Sequence, residues 1–275
     1  MPSGEATAAI SDSLAHPTSA PLVLSQHHDD GKHHLLLAAS GSVATIKIPN
    51  IAEALAKHEN LSIRIILTRS ASEFLQGQSG EQPSLESLSK FPNVDGIYLD
   101  EDEWSEPWVR GGKILHIELR RWAHLLVVAP LSANSLAKIV GGLSDNLLLS
   151  VIRAWDTTGI LDLPYYHSPS DPSASKDDVV ANGTPADQVQ PRKKIIIVAP
   201  AMNTAMWKHP VTKQHMKFLE GEWNVQNGGW FEVLRPIEKE LACGDTGDGA
   251  MRNWKEIVEQ IERSTKLSDA RAEGS

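Results

Sequence analysis

Four short apolar runs constrain this chain more than anything else in it: HHLLLAAS (33–40), LSIRIILT (61–68), HLLVVAP (124–130) and KKIIIVAP. They are rich in branched residues and end in small or turn residues, the pattern of strands buried on both faces. Between them the spacing turns helical. In GSVATIKIPNIAEALAKH the apolar positions Val43, Ile46, Ile51 and Leu55 recur at helical intervals and predict a helix that buries them. LSANSLAKIVGGLSDNLLLSVIRAW carries a helical pattern interrupted at Gly141 and Gly142. Apolar strands alternating with helices require a parallel sheet covered on both sides, so the fold class is α/β, doubly wound, in a single domain.

The domain so defined runs from 33 to 265. Residues 1–32 are rich in Ala, Ser, Pro and His without a sustained period and read as a disordered extension. Residues 156–192 are loaded with Pro, Ser, Asp and Gly and read as a flexible surface insertion, because the flanking strands are so clear. Residues 266–275 form a C-terminal tail.

Of 275 residues, 41% are hydrophobic and 22% charged, as in ordinary globular proteins. The net charge of −9 argues against a general nucleic-acid binder, which needs a basic surface. A single cysteine excludes an intramolecular disulfide and fits a reducing compartment. No Lys or Arg precedes Lys32, and no apolar run approaches the roughly 18–20 residues of a membrane span, so a cytoplasmic protein is expected. His27, His28, His33 and His34 resemble a metal tract, but adjacent residues point different ways and no partner cluster follows, so no metal is expected. The acids Asp95, Asp100, Glu101, Asp102, Glu103 and Glu106 read as a solvated loop.

Ligands of open α/β sheets bind beyond the carboxyl ends of the strands. Small-residue turns stand at three such ends: AASGSVA, APLSAN and APAMN. Ser40-Gly41-Ser42 opens a helix and offers hydroxyls and free N–H groups to a phosphate, although such turns also cap helices for structural reasons alone. Thr68, Arg69 and Ser70 mark a fourth end, and the pattern is neither a Walker loop nor a G-x-G-x-x-G fingerprint. In KILHIELRRWAH, His116 with Arg120 and Arg121 suits acid–base work on a carboxylate substrate. Asn203 either donates to a developing oxyanion or caps the helix that begins near Thr204. Cys243 lies among Gly244, Gly247 and Gly249, a flexible flap where a reactive thiol is more natural than a packing one.

Taken together, AASGSVATIK, DEDEWSEPWVRGGKILHIELRRWAH, VVAPLSANSLAKIVGGLSDNLL, APAMNTAMW and LACGDTGDGAM resemble the phosphopantothenoylcysteine decarboxylases, within the homo-oligomeric flavin-containing cysteine decarboxylases. The resemblance spans residues 33 to about 265. His124 and Ser144 depart from it, standing where family members often have Asp and Cys.

The resemblance implies a Rossmann-like flavodoxin-type domain, FMN bound at subunit contacts, and a homotrimer or a mixed trimer. By matching position, Gly41, Ser42, Val43, Thr68, Arg69, Ser132, Ala133, Asn134, Ser135 and Ala201 would hold FMN. His116 would be the base of the first half-reaction and Asn203 the carboxylate contact, with Arg121, Glu240 and Ala242 near the substrate. Cys243 would supply the last proton. The implied reaction is FMN-dependent decarboxylation of 4′-phosphopantothenoylcysteine to 4′-phosphopantetheine in coenzyme A biosynthesis. Two other outcomes share these motifs: a peptidyl-cysteine decarboxylase that stops at the enethiol, and a regulatory subunit that inhibits a protein phosphatase. Cys243 argues against the first. His116, Asn203 and Cys243 all being present argues against the second.

Overall fold

The computed structural model describes residues 30–105, 107–161, 193–240 and 246–267. Strand β1 (His33–Ala39) is buried along its whole length and leads through a 3-10 turn (Val43–Lys47) into α1 (Ile48–Leu55). Next come β2 (Leu61–Leu67), α2 (Arg69–Ser72), a small hairpin of β3 (Gln76–Ser79) and β4 (Gln82–Ser84), α3 (Leu85–Ser89) and β5 (Val94–Tyr98). A second 3-10 turn (Asp100–Trp104) precedes α4 (Leu115–Trp122), β6 (Leu125–Leu131), α5 (Ala133–Gly141) and α6 (Leu147–Arg153). The chain continues through β7 (Ile195–Pro200), α7 (Thr204–Lys208), α8 (Pro210–Glu220), β8 (Phe231–Val233), β9 (Ile237–Glu240), β10 (Thr246–Ala250) and α9 (Trp254–Thr265).

Six strands form one sheet in the order β5-β2-β1-β6-β7-β8, and every pairing between them is parallel. Counted along the chain this is the order 3-2-1-4-5-6 of doubly wound nucleotide-binding sheets. The winding reverses between β1 and β6, which opens a crevice at their carboxyl ends. The four runs read as strands are the four central strands.

Two-residue alternation splits the core into two layers. Leu35, Leu37 and Ala39 face one way, packing with Ile48, Ile51 and Leu55 of α1 and Ile257 and Ile261 of α9. Leu36 and Ala38 face the other, against Leu119 and Trp122 of α4, Leu148 of α6 and Leu219 of α8. A fully buried Leu or Ile contributes about 1.5–3 kcal/mol, so this double face is the main support of the sheet.

The helix expected after β1 is in two parts, and one of its core positions is reassigned. Ile51 and Leu55 are buried, but Val43 is 45% exposed and Thr45 is buried in its place. Pro49 explains the break: without an N–H it suits the first turn of a helix, so α1 starts at Ile48 and the residues before it wind more tightly. The interruption at Gly141 and Gly142 is real. Gly142 takes a left-handed φ of 71° and ends α5, its N–H donating to the Ile139 carbonyl.

The segment assigned to a flexible insertion opens with an ordered turn. Buried Asp156 accepts from the N–H groups of Thr158 and Gly159 and from the Thr158 hydroxyl. The rest of it, 162–192, lies outside the described residues, as do 1–29 of the N-terminal extension and 268–275 of the tail. Leu267, the second residue assigned to that tail, is buried in the α1–α9 layer. Among the described residues no helix is long and apolar enough to cross a membrane. His33 and His34 are buried at the start of β1, where His34 stacks on Trp122 at 4.6 Å, and no group of three His, Cys, Asp or Glu among the described residues is placed to hold a metal.

Candidate functional site

Hydroxyls join the carboxyl ends of β1 and β6. Ser132 N donates to Ser40 Oγ at 2.8 Å, Ser40 Oγ donates to Ser132 Oγ at 3.2 Å, and Ser132 Oγ accepts from Ser135 N at 3.2 Å. Ser40 is fully buried, so its side chain belongs to the junction of the strands and leaves Gly41, Ser42 and Val43 to face outward.

Above this junction lies a cleft of about 460 Å³, within the usual range for small-molecule sites. All ten residues expected to hold the cofactor line it: Gly41, Ser42, Val43, Thr68, Arg69, Ser132, Ala133, Asn134, Ser135 and Ala201. Asn203 lines it as well.

The rim is built from helix starts. Thr68 Oγ1 accepts from Ala71 N at the start of α2, Ser132 Oγ from Ser135 N at α5, Asn146 Oδ1 from Leu149 N at α6, and Asn203 Oδ1 from Met206 N at α7. Helix N-termini present partial positive charge and unpaired N–H groups, the environment that stabilises an anion. Of these helices α5 is the longest, at nine residues. The capping reading of Asn203 is met by its Oδ1, and the residue also lines the cleft.

Sequence reasoning missed several lining residues. Phe74, Met202 and Met206 add apolar wall, while Lys138 and Asp100 add charge. Exposed Val43 joins the apolar group, and a cleft with helix N-termini at its rim and apolar side chains in its wall suits a phosphorylated aromatic cofactor. The residues present therefore fit a flavin mononucleotide.

The acidic stretch is not a solvated loop. Asp100 Oδ2 accepts from Arg69 N at 3.1 Å and its Oδ1 from Leu147 N at 3.3 Å, tying the β2 end to α6 beneath the cleft. Burial pushes the Asp100 carboxyl above its ordinary value of 3.8, against the pull of those two N–H groups. Asp102 Oδ2 accepts from Leu99 N at 2.7 Å, and Glu103 is buried against His116. Asp95 accepts from the Ser62 hydroxyl. Glu106 lies outside the described residues. Fixed spacing from the turn at Leu99 was the one available signal: an acid at its third position is a capping acid.

His116 is the second residue of α4, and its Nδ1 lies 2.9 Å from Glu103 Oε1. Arg121 Nη1 donates to Glu118 Oε1 at 3.2 Å. Neither His116 nor Arg121 is among the described residues lining the cleft.

Cys243 and Ala242 lie outside the described residues, and of Glu240 only the place at the end of β9 is described. The flanking strands are fixed against the cleft. Gly249 O accepts from Met202 N at 3.0 Å, and a Cβ on Gly249 would stand 2.0 Å from the Met202 carbonyl oxygen. Only glycine allows β10 to lie this close to the Met202–Asn203 backbone.

The sequence matches the family model described as Flavoprotein over residues 23–266. It is 40% identical over 220 residues to a phosphopantothenoylcysteine decarboxylase of Arabidopsis thaliana, covering 80% of this chain and 79% of that one. It is 38% identical over 248 residues to coenzyme A biosynthesis protein 3 of Saccharomyces cerevisiae, covering 86% of this chain and 34% of the relative. The chain spans about a third of the length of the curated yeast relatives it matches.

Among solved structures, it is similar to a PPC decarboxylase variant complexed with pantothenoylaminoethenethiol, with a TM-score of 0.61 and 38% identity over 86% of this chain and 99% of that one. It is also similar to the FMN binding protein AtHal3, with a TM-score of 0.59 and 37% identity over 86% of this chain and 98% of that one.

Proposed function

The chain belongs to the Flavoprotein family, and we propose that it is an FMN-dependent decarboxylase converting 4′-phosphopantothenoylcysteine to 4′-phosphopantetheine in coenzyme A biosynthesis. The observation that carries the reading is the meeting of SGSV, LTR, LSANS and AMN at one cleft with helix N-termini around its rim. Relatives named for this activity, and a similar structure holding pantothenoylaminoethenethiol, support the same substrate class.

Gly41 to Val43, Thr68, Arg69, Ser132 to Ser135 and Ala201 hold FMN. A cysteine carboxylate has no electron sink of its own; FMN held by these residues would supply the oxidising power that creates one in the substrate, as a thioaldehyde, and would return the electrons at the end. His116 acts as base in that first oxidation. Asn203 Nδ2 binds the substrate carboxylate or the intermediate, with Arg121 as an additional contact and Glu240 and Ala242 beside it. Once the thioaldehyde forms, loss of CO2 leaves an enethiolate, and Cys243 gives the proton that accompanies its reduction.

A second copy completes the site, a reading supported by the absence of His116 from the described residues that line the cleft of its own chain. Trp104, Trp108 and Val109, exposed by 66%, 53% and 69%, lie in the loop leading to α4 and suit burial against another protomer. The assembly is a homotrimer or a mixed trimer with paralogues, working in the cytoplasm on a small molecule, without membrane or nucleic acid.

Mass spectrometry of the products tests the reading. The unaltered protein yields 4′-phosphopantetheine, and Cys243→Ser accumulates the oxidised, decarboxylated enethiol. Unchanged substrate with the unaltered protein overturns the activity. Clean turnover by Cys243→Ser overturns the role of that thiol.

A further inference from the structure

The 3-10 turn Asp100–Trp104 joins two things that otherwise stand apart. Asp100 lines the cleft, while Glu103, three residues on, touches His116. In a 3-10 helix residues i and i+3 eclipse at a rise of about 2 Å per residue, so the two carboxylates share a face about 6 Å apart along the axis.

Glu103 is an unusual acid. Its side chain is 5% exposed, and its Oε2 has no hydrogen-bond partner among the described residues. Among the described residues its one ion-pair partner is His116. A buried carboxylate with one oxygen unsatisfied calls for a reason, and the reason at hand is the 2.9 Å contact to His116 Nδ1.

We propose that Glu103 is a positioning residue that holds His116 as the Nδ1–H tautomer, with Nε2 unprotonated and free to take a proton. This rests on the role given to His116 above. An ionised carboxylate only accepts, so the hydrogen of the contact belongs to Nδ1 and the lone pair to Nε2. His116 is 23% exposed, enough for that second nitrogen to meet a substrate. When Nε2 takes the proton from the substrate thiol, the S–H bond breaks, an N–H bond forms, and the Nδ1–H bond to Glu103 is kept. The imidazolium then lies against the carboxylate. When the proton leaves again, the ring returns to the same tautomer.

Imidazole 15N correlation spectra of the full chain test this directly, with His116 assigned by comparison with His116→Asn. The expected wild-type state is Nδ1–H. In Glu103→Gln the amide can donate to Nδ1, so the Nε2–H form appears and kcat falls about 10–100-fold, as for other residues that orient a functional imidazole. KM changes less than about twofold, because no substrate contact is lost, and Glu103→Asp recovers part of kcat. A wild-type His116 in the Nε2–H form overturns the proposal whether or not any variant folds. An unchanged tautomer with kcat retained in Glu103→Gln overturns it as well. Absence of turnover in the wild type contradicts the decarboxylase reading, while the spectra still decide the tautomer.

Discussion

Asn203 closes the first turn of α7, its Oδ1 accepting from Met206 N at 2.8 Å, and it also lines the cleft. Replacing such a cap costs about 1 kcal/mol in stability, so its removal harms the fold and the site together. Asp100 is used just as closely, and it carries a pH signature. Its folded-state pKa is raised by burial, so it contributes stability below about its ordinary value of 3.8, and that contribution is lost as pH rises through the raised value. Compared with Asp100→Asn, the wild type should be relatively most stable in acid and lose ground as pH climbs through the carboxylate range. Paired thermal melts at a series of pH values check this, and a wild-type advantage that grows with pH contradicts it. Asp100 and Glu103 were not legible as site residues, because a run of acids in sequence looks the same whether solvent or N–H groups surround it.

At the scale of elements, the central strands were readable because each is apolar throughout and ends in a small-residue turn. Helix α1 was readable only in its second half. Val43 shares the spacing of Ile51 and Leu55, but Pro49 shifts the winding between them, and an apolar residue released from the core is then free to line the cleft. The hairpin of β9 and β10 depends on a contact that no local pattern reveals, the seat of Gly249 on the Met202 carbonyl. Gly249→Ala must move that backbone, at a cost of about 1–3 kcal/mol as for other overpacked sites. The expected result is a lower melting temperature and FMN affinity reduced by about tenfold or more, since about 1.4 kcal/mol of distortion at the cleft suffices. Flavin retention on gel filtration and a thermal melt measure both. A variant that binds FMN like the wild type contradicts the link from β10 to the cleft.

For the whole molecule, the order of strands decides where chemistry happens. Winding reverses between β1 and β6, and the turns after β1, β2, β6 and β7 therefore open onto one cleft rather than four separate surfaces. The alternation of strands and helices made the strand-end turns readable, while the ten residues assigned to the cofactor came from the family resemblance, and all of them line this cleft. The place of His116 outside the cleft lining was not readable, since it depends on the path of the loop between Trp104 and α4. The central claim is that the thiol of the substrate is oxidised at a flavin before CO2 is lost. Rapid anaerobic mixing of the flavin-loaded protein with phosphopantothenoylcysteine, following visible flavin absorbance and CO2 together, tests it most directly. The account predicts that the absorbance falls no later than CO2 appears and recovers as 4′-phosphopantetheine forms. CO2 released while the flavin absorbance stays constant throughout would contradict it.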